Sequence, residues 1–191
     1  MLRERQAGSY QVSSYFLAKT VVDFTTSLWS PILFSSIVYF MIGYQKDPRK
    51  FFIFVLFMIL NTQAPMSAAT CISCFAGSIE YSITILAVVI EGCRLFGGFF
   101  ASPAQIVDLK DWKFADVLSY SKYSFVGVAL NELSDLEIAC DVGTSCSITS
   151  GQQIIEKNGY DQYTIEFCVG ILIVLIVGSR VLAYLGLRFL K

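Results

Sequence analysis

The 191-residue sequence contains no histidine and few charged residues. It therefore lacks the side chain most often used as a general base and as a neutral metal ligand, and neither a metal hydrolase nor a histidine-based triad is expected. Only 15% of the residues are charged, against about 25% in soluble domains, and 55% are hydrophobic. The net charge of −1 provides no basic field for a nucleic-acid backbone. This composition, with a mean hydropathy of +0.62, indicates a membrane protein.

Four apolar runs are long enough to cross a bilayer, which requires about 20 mostly apolar residues. The predicted transmembrane helices cover residues 11–44, 51–77, 81–101 and 163–187. A polar stretch, residues 102–162, separates the last two and contains most of the acidic residues. The sequence therefore predicts an all-α membrane protein with four transmembrane helices and one large loop.

The sequence predicts the orientation of the chain in the membrane less clearly than it predicts the spans. Four predicted spans place both termini on one side, and the basic residues near them favour the cytoplasmic side: Arg3, Arg5, Arg188 and Lys191. The short loop between the first two spans is also basic, which opposes this assignment. Cys140 and Cys146 in the polar loop are typical of a disulfide in an oxidising compartment, with two unpaired thiols as the alternative. We therefore expect an extracellular or luminal loop and cytoplasmic termini.

Glu91 and Arg94 interrupt the third apolar run. They are three positions apart and would lie on nearly the same face of a helix, near the centre of the bilayer. Each charge there costs roughly 2.5–3.5 kcal/mol, so neither side chain should face lipid. Two interpretations remain open at this point: an ion pair that holds the helix bundle together, or a polar cavity that meets a substrate or ion.

Lys19 and Asp23, four residues apart, fit an interfacial ion pair. The remaining cysteines fit packing residues; they are Cys71, Cys74, Cys93 and Cys168.

Several longer strings occur in order along the chain. They are Arg3-Glu4-Arg5-x-x-Gly8-x-Tyr10, Ser13-Ser14-Tyr15-Phe16-Leu17-Ala18-Lys19, Ile37-Val38-Tyr39-Phe40-Met41-Ile42-Gly43, Leu95-Phe96-Gly97-Gly98-Phe99-Phe100, Tyr120-Ser121-Lys122-Tyr123 with Asn131-Glu132, and Arg180-Val181-Leu182-Ala183-Tyr184-Leu185-Gly186-Leu187-Arg188. Together they resemble the G subfamily of ABC transporters. The resemblance extends over the whole chain and implies the third to sixth helices of that family's transmembrane domain.

The resemblance also implies parts that this sequence does not contain. A half-transporter of this family has an ATP-binding domain before its six helices, and no G-x-x-x-x-G-K-[ST] phosphate loop occurs here. We therefore expect no catalytic site and no cofactor in this chain, with ATP and Mg bound by the ATP-binding domain. Two family helices are absent as well, so we expect Met1 to reflect a truncated gene model or a fragment. The implied partners are the ATP-binding domain, a second half-transporter in a homo- or heterodimer, the lipid bilayer and a small-molecule or lipid substrate.

The family's functional residues map onto specific positions. Residues 1–10 resemble the cytoplasmic coupling segment, where Arg3, Glu4 and Arg5 would contact the ATP-binding domain or be ordinary flanking charges. Phe99 and Phe100 match the apolar plug above the inner cavity, with interfacial anchoring as the alternative. Glu91 and Arg94 fall at cavity-facing positions where the multidrug members have apolar residues, which favours an amphipathic or charged substrate. Cys140 and Cys146 match the cysteines of an internal loop disulfide.

The resemblance implies the membrane-spanning part of an ATP-driven half-transporter for lipid-like or amphipathic small molecules, in the plasma membrane or another secretory-pathway membrane. The alternative is a four-span structural or adhesion protein of the tetraspanin kind. That class predicts a Cys-Cys-Gly motif in the large loop, and the sequence contains none.

Overall fold

Seven α-helices and one 3₁₀ turn make up the part of the chain that this computed structural model describes, residues 12–98, 113–137 and 149–189. The helices are α1 (Val12–Ile42), α2 (Pro48–Phe75), α3 (Ile79–Leu95), α4 (Lys113–Leu118), α5 (Tyr120–Leu133), α6 (Gly151–Asn158) and α7 (Ile165–Phe189). The 3₁₀ turn, Tyr160–Gln162, lies between α6 and α7. The all-α class predicted from the sequence is confirmed.

Three helices of the described residues are long and apolar enough to cross a membrane: Ser13–Ile42 of α1, all of α2 and all of α7. The fourth predicted span, residues 81–101, corresponds to α3, which has 17 residues and is about 26 Å long. It ends early because Gly97 and Gly98 follow it, and Gly98 has a φ of +85°, which a helix cannot continue. Three of the four predicted spans therefore meet the length requirement, and the fourth is not confirmed.

Local capping sets the turns between the long helices. The Asp47 carboxylate accepts a hydrogen bond from the Arg49 N–H at 3.0 Å, and Pro48 occupies the first position of α2, where its missing N–H does no harm. Ser78 caps α3 in the same way by accepting from the Tyr81 N–H at 3.3 Å. Each turn contains only a few residues, so α1, α2 and α3 run antiparallel to their neighbours in sequence.

Helix α2 lies at the centre of the packing. Its most extensive contacts are with α7, followed by α1 and α5. The main core forms where α5, α6 and the 3₁₀ turn pack onto α2 and α7, and its buried members are Phe57, Leu60, Tyr123, Val126, Ile155, Tyr160, Cys168 and Leu172. A second, smaller cluster joins the far ends of α2 and α7 through Cys74, Ala183 and Leu187. Cys74 and Cys168 therefore serve as packing residues, as the sequence predicts.

Candidate functional site

Glu91 and Arg94 lie one turn apart on α3 and form an ion pair. Arg94 Nη1 donates to Glu91 Oε1 at 3.2 Å. Both side chains are about two-thirds exposed, at 66% and 65%, and α3 has no buried residue among those described. Within the described residues the pair therefore joins no two helices. It lies on a face of α3 that the described residues leave largely open.

The C-terminal end of α3 is fastened to the helices that follow it in the chain. Ser119 Oγ donates to the Cys93 carbonyl at 2.7 Å, and the buried Tyr160 hydroxyl donates to the Gly98 carbonyl at 3.3 Å. These carbonyls belong to the last turn of α3 and the glycine turn after it, where helical partners are missing. Gly97 allows close approach, because a Cβ there would lie 2.9 Å from Ser121 Oγ.

The helix α4–α5 region contains a buried ion pair that sequence reasoning did not identify. Lys122 is only 2% exposed, and its Nζ donates to Asp116 Oδ2 at 2.5 Å. The same ammonium lies 5.0 Å from the centre of the Tyr163 ring. Burial lowers the pKa of Lys122, but hydrogen bonds with Asp116 and Tyr163 outweigh it and raise the pKa above its usual value. The ammonium is therefore held in its charged form.

A second polar cluster joins the α1–α2 turn to the end of α5. The Gln45 backbone N–H donates to Glu132 Oε1 at 2.9 Å, and the Gln45 side chain donates to the Glu132 carbonyl at 2.8 Å. Lys50 Nζ donates to the Ser134 carbonyl at 2.7 Å, and Asn131 donates to the Lys50 carbonyl at 2.9 Å. Burial, followed by the nearby Glu132 carboxylate, raises the pKa of Tyr44 in this turn. Asn131 and Glu132, one of the strings noted in the sequence, thus fasten the end of α5 to the α1–α2 turn.

Arg180 on α7 connects three helices that are far apart in sequence. Its Nε donates to Ser67 Oγ on α2 at 3.1 Å, and its Nη1 lies 3.5 Å from Thr20 Oγ1 and 3.9 Å from Asp23 Oδ2, both on α1. Asp23 also pairs with Lys19 at 3.5 Å, as the spacing predicts. The three-helix contact was not predicted. Its only signal in the sequence is one arginine in an otherwise apolar run.

The remaining predicted site residues lie outside the described part of the chain. They are Arg3, Glu4, Arg5, Phe99, Phe100, Cys140 and Cys146. Their assignments to the coupling segment, the plug and the loop disulfide stay predictions. Among the described residues, no group of three or more acidic or cysteine side chains has the arrangement of a metal site.

Comparison with known proteins gives a consistent family. Residues 1–133 match the family model described as ABC-2 type transporter. The chain is 30% identical over 190 residues to Protein white of Drosophila melanogaster, which covers 98% of this chain and 27% of that protein. It is 29% identical to ABC transporter G family member 1 of Dictyostelium discoideum and to the ABC transporter ATP-binding protein/permease wht-1 of Caenorhabditis elegans, with 98% of this chain and 24% and 29% of those proteins covered.

The chain thus spans 24–29% of the length of these relatives. The similarity extends over nearly all of its residues, in agreement with the helical membrane architecture and with the ordered strings in the sequence. The chain therefore belongs to the ABC-2 type transporters and, within them, to the G family.

Proposed function

We propose that this chain is the later membrane-spanning part of an ATP-driven half-transporter for amphipathic or charged small molecules, and that Glu91 and Arg94 face the translocation path. The observation that carries the proposal is their ion pair on the open face of α3. Charged side chains inside a bilayer face the interior of a bundle or a water-filled cavity rather than lipid. A face with two such charges and no cover from the described residues of its own chain therefore belongs against a polar cavity.

Such a cavity forms when two half-transporters associate around a central axis with their α3 faces inward. A salt bridge between the two groups would be opened or shared when a zwitterionic or amphipathic substrate enters. ATP bound with Mg in the ATP-binding domains would drive the closure of those domains against residues 1–10, where Arg3, Glu4 and Arg5 make the contact. Phe99 and Phe100, just beyond the fastened end of α3, would close the path above the cavity.

Transport then requires that the inward-facing and outward-facing states bind the substrate differently. The chain lies in the plasma membrane or another membrane of the secretory pathway, and its termini face the cytoplasm. A four-span structural or adhesion protein is not favoured, because such a protein does not account for the family match over residues 1–133.

The test measures substrate-stimulated ATP hydrolysis by the half-transporter that contains this chain and its ATP-binding domain. Glu91→Gln and Arg94→Met should each raise the substrate concentration for half-maximal stimulation by about tenfold or more, as expected for a lost hydrogen bond to a charged group. Glu80→Gln is the matched control, because Glu80 is an exposed acid in the first turn of the same helix. It should leave the stimulation unchanged.

Exchanging the two charges, Glu91→Arg together with Arg94→Glu, separates recognition from helix stability. The exchanged pair can still form an intrahelical salt bridge, but it presents reversed charges to the substrate. Stimulation should therefore be lost. Full stimulation by the exchanged variant would mean that the pair serves only the helix, and the proposed role would be wrong.

A further inference from the structure

An open cleft of about 520 Å³ separates α1 from α7. It exists because both helices pack on α2 but contact each other only slightly. Its walls are apolar side chains, among them Val21 and Phe24 on α1 and Val177 and Val181 on α7. At the end nearest the chain termini, the rings of Phe16 and Tyr184 lie 5.6 Å apart and bound the cleft.

The charges at this cleft do not balance. Arg180 lines it, and both Arg180 and Lys19 interact with one carboxylate, that of Asp23, at 3.9 Å and 3.5 Å. Neither distance is that of a strong charge-assisted hydrogen bond. Within the described residues the Nη2 hydrogens of Arg180 donate to no group, although the side chain is only 12% exposed. Arg180, Lys19 and Asp23 together therefore carry one surplus positive charge, and two N–H donors of Arg180 are unused beside an apolar surface.

The helix lengths place this group near the membrane surface. Helix α1 has 31 residues and is about 46 Å long, some 16 Å longer than the hydrocarbon core of a bilayer. Lys19 lies about 10 Å from the start of α1, and Arg180 about 14 Å from the end of α7. Long basic side chains extend from such positions toward the lipid headgroups. The apolar walls next to them lie at the depth of the acyl chains.

From this arrangement we propose that the cleft binds one anionic phospholipid from the leaflet on the side of the chain termini. The lipid headgroup contacts Arg180 and Lys19, and one acyl chain lies along the walls formed by α1 and α7. An anion satisfies the surplus charge and the free guanidinium donors, and the acyl chain fills a surface that a soluble anion would leave uncovered. This inference is independent of the transport activity proposed above.

The role of Asp23 gives the proposal an unusual signature. Its carboxylate competes with the lipid headgroup for the same two cations. Asp23→Asn should therefore strengthen the binding of an anionic lipid, whereas Arg180→Gln and Lys19→Gln should weaken it. About fivefold in either direction is expected, since one basic residue near an anionic membrane contributes on the order of 1 kcal/mol. If the ion pair only stabilised the bundle, these substitutions would not change lipid binding in opposite directions.

Native mass spectrometry of the purified full-length protein, titrated with phosphatidylserine or phosphatidylcholine, measures this binding. The wild type should retain phosphatidylserine in preference, and the soluble headgroup glycerophosphoserine should not displace it. Arg188→Gln is the matched control, because Arg188 lies near the same end of α7, outside the cleft, over the Phe189 ring. It should leave the preference unchanged.

Three results would overturn the proposal. Equal losses in Arg180→Gln and Arg188→Gln would indicate general attraction of the lipid to basic residues. Weaker binding in Asp23→Asn would indicate that the ion pair only holds the helices together. The absence of any phosphatidylserine preference in the wild type would mean that another part of the protein occupies the cleft. If Arg180→Gln does not fold, Asp23→Asn and Lys19→Gln still test whether lipid binding changes in opposite directions, since the Lys19 side chain is half-exposed.

Discussion

The missing side chain at Gly127 allows the ring of Phe57 to lie directly against α5. Phe57 is fully buried in the main core, and a Cβ on residue 127 would lie 2.1 Å from its Cζ. The ring cannot move without disturbing neighbours that are equally buried. At the scale of single residues, the packing of the outer helices on the spans depends on this contact.

Gly127→Ala should therefore destabilise the protein by about 1–3 kcal/mol, the usual penalty for overpacking a core. Thermal unfolding in detergent, followed by circular dichroism, measures the effect. Gly178→Ala on α7 is the control, because nothing lies within 4 Å of a Cβ at that position. It should leave the unfolding temperature unchanged or raise it slightly, since alanine favours the helix. Equal shifts in the two variants would contradict the prediction.

The buried Lys122 makes a pH-dependent contribution to stability. Because the pKa of Lys122 in the folded protein is raised above its ordinary value of 10.5, the contribution is complete below that pH. It is lost as the pH rises through the folded-state pKa. Lys122→Met removes the ammonium and leaves the Asp116 carboxylate without its partner, which should cost about 3–5 kcal/mol at neutral pH.

Urea unfolding of the wild type and Lys122→Met as a function of pH tests this expectation. The difference between the two proteins should be constant from pH 7 to 9 and should shrink above pH 10.5. Adding Asp116→Asn to Lys122→Met should recover part of the stability, since the unpaired charge is then removed. A difference that does not depend on pH would contradict the proposed ionic contribution.

Among the elements, the end of α3 and the start of α5 are joined through Ser119. Ser119 donates to the last turn of α3 and also caps α5 by accepting from the Lys122 N–H at 3.3 Å. A displacement of α3 is therefore transmitted directly to the first turn of α5. The loop helices are thus part of the same mechanical unit as the proposed substrate-contacting helix.

Ser119→Ala should lower the stability by about 1–2 kcal/mol, because both the cap and the contact to the Cys93 carbonyl are lost. Hydrogen exchange of the first turn of α5 and of the last turn of α3 should increase together. Ser150→Ala is the control, because Ser150 also precedes a helix but makes no side-chain cap hydrogen bond. Faster exchange in α5 alone would show that Ser119 acts only as a cap.

The elements were largely predictable, and the contacts between them were not. Apolar runs located α1, α2 and α7, because crossing a membrane needs length and hydropathy, which are properties of single segments. The end of α3 was predicted too late, since apolar residues continue past Gly98 while the backbone there turns. The Glu91–Arg94 pair followed from its spacing on one helix. The partners of Arg180 did not, because Ser67 and Thr20 lie 113 and 160 residues away on other helices.

For the molecule as a whole, introduced glycosylation sites can test which side of the membrane each loop and terminus faces. No N-x-[ST] site is present in this sequence, so any N-linked glycan on these residues must come from an introduced site. Gly143→Asn creates Asn-Thr-Ser in the polar loop, and Ala7→Asn creates Asn-Gly-Ser near the N-terminus.

With an extracellular loop and cytoplasmic termini, only Gly143→Asn should acquire a glycan. The readout is a mobility shift that a glycosidase removes, after expression in a eukaryotic cell. Glycosylation of Ala7→Asn, with none on Gly143→Asn, would reverse the assigned orientation.

The contact of Arg180 with α1 also has a consequence for the order in which the protein is made. Thr20 and Arg180 are separated by 160 residues, so at a synthesis rate of 5–20 residues per second α1 leaves the ribosome roughly 8–30 s before Arg180 does. During that interval Asp23 would enter the bilayer without its distant partner. Lys19, one turn away on the same helix, neutralises it in the meantime. Lys19 is thus the counter-ion of Asp23 in the nascent helix, before the last span arrives and completes the three-helix contact.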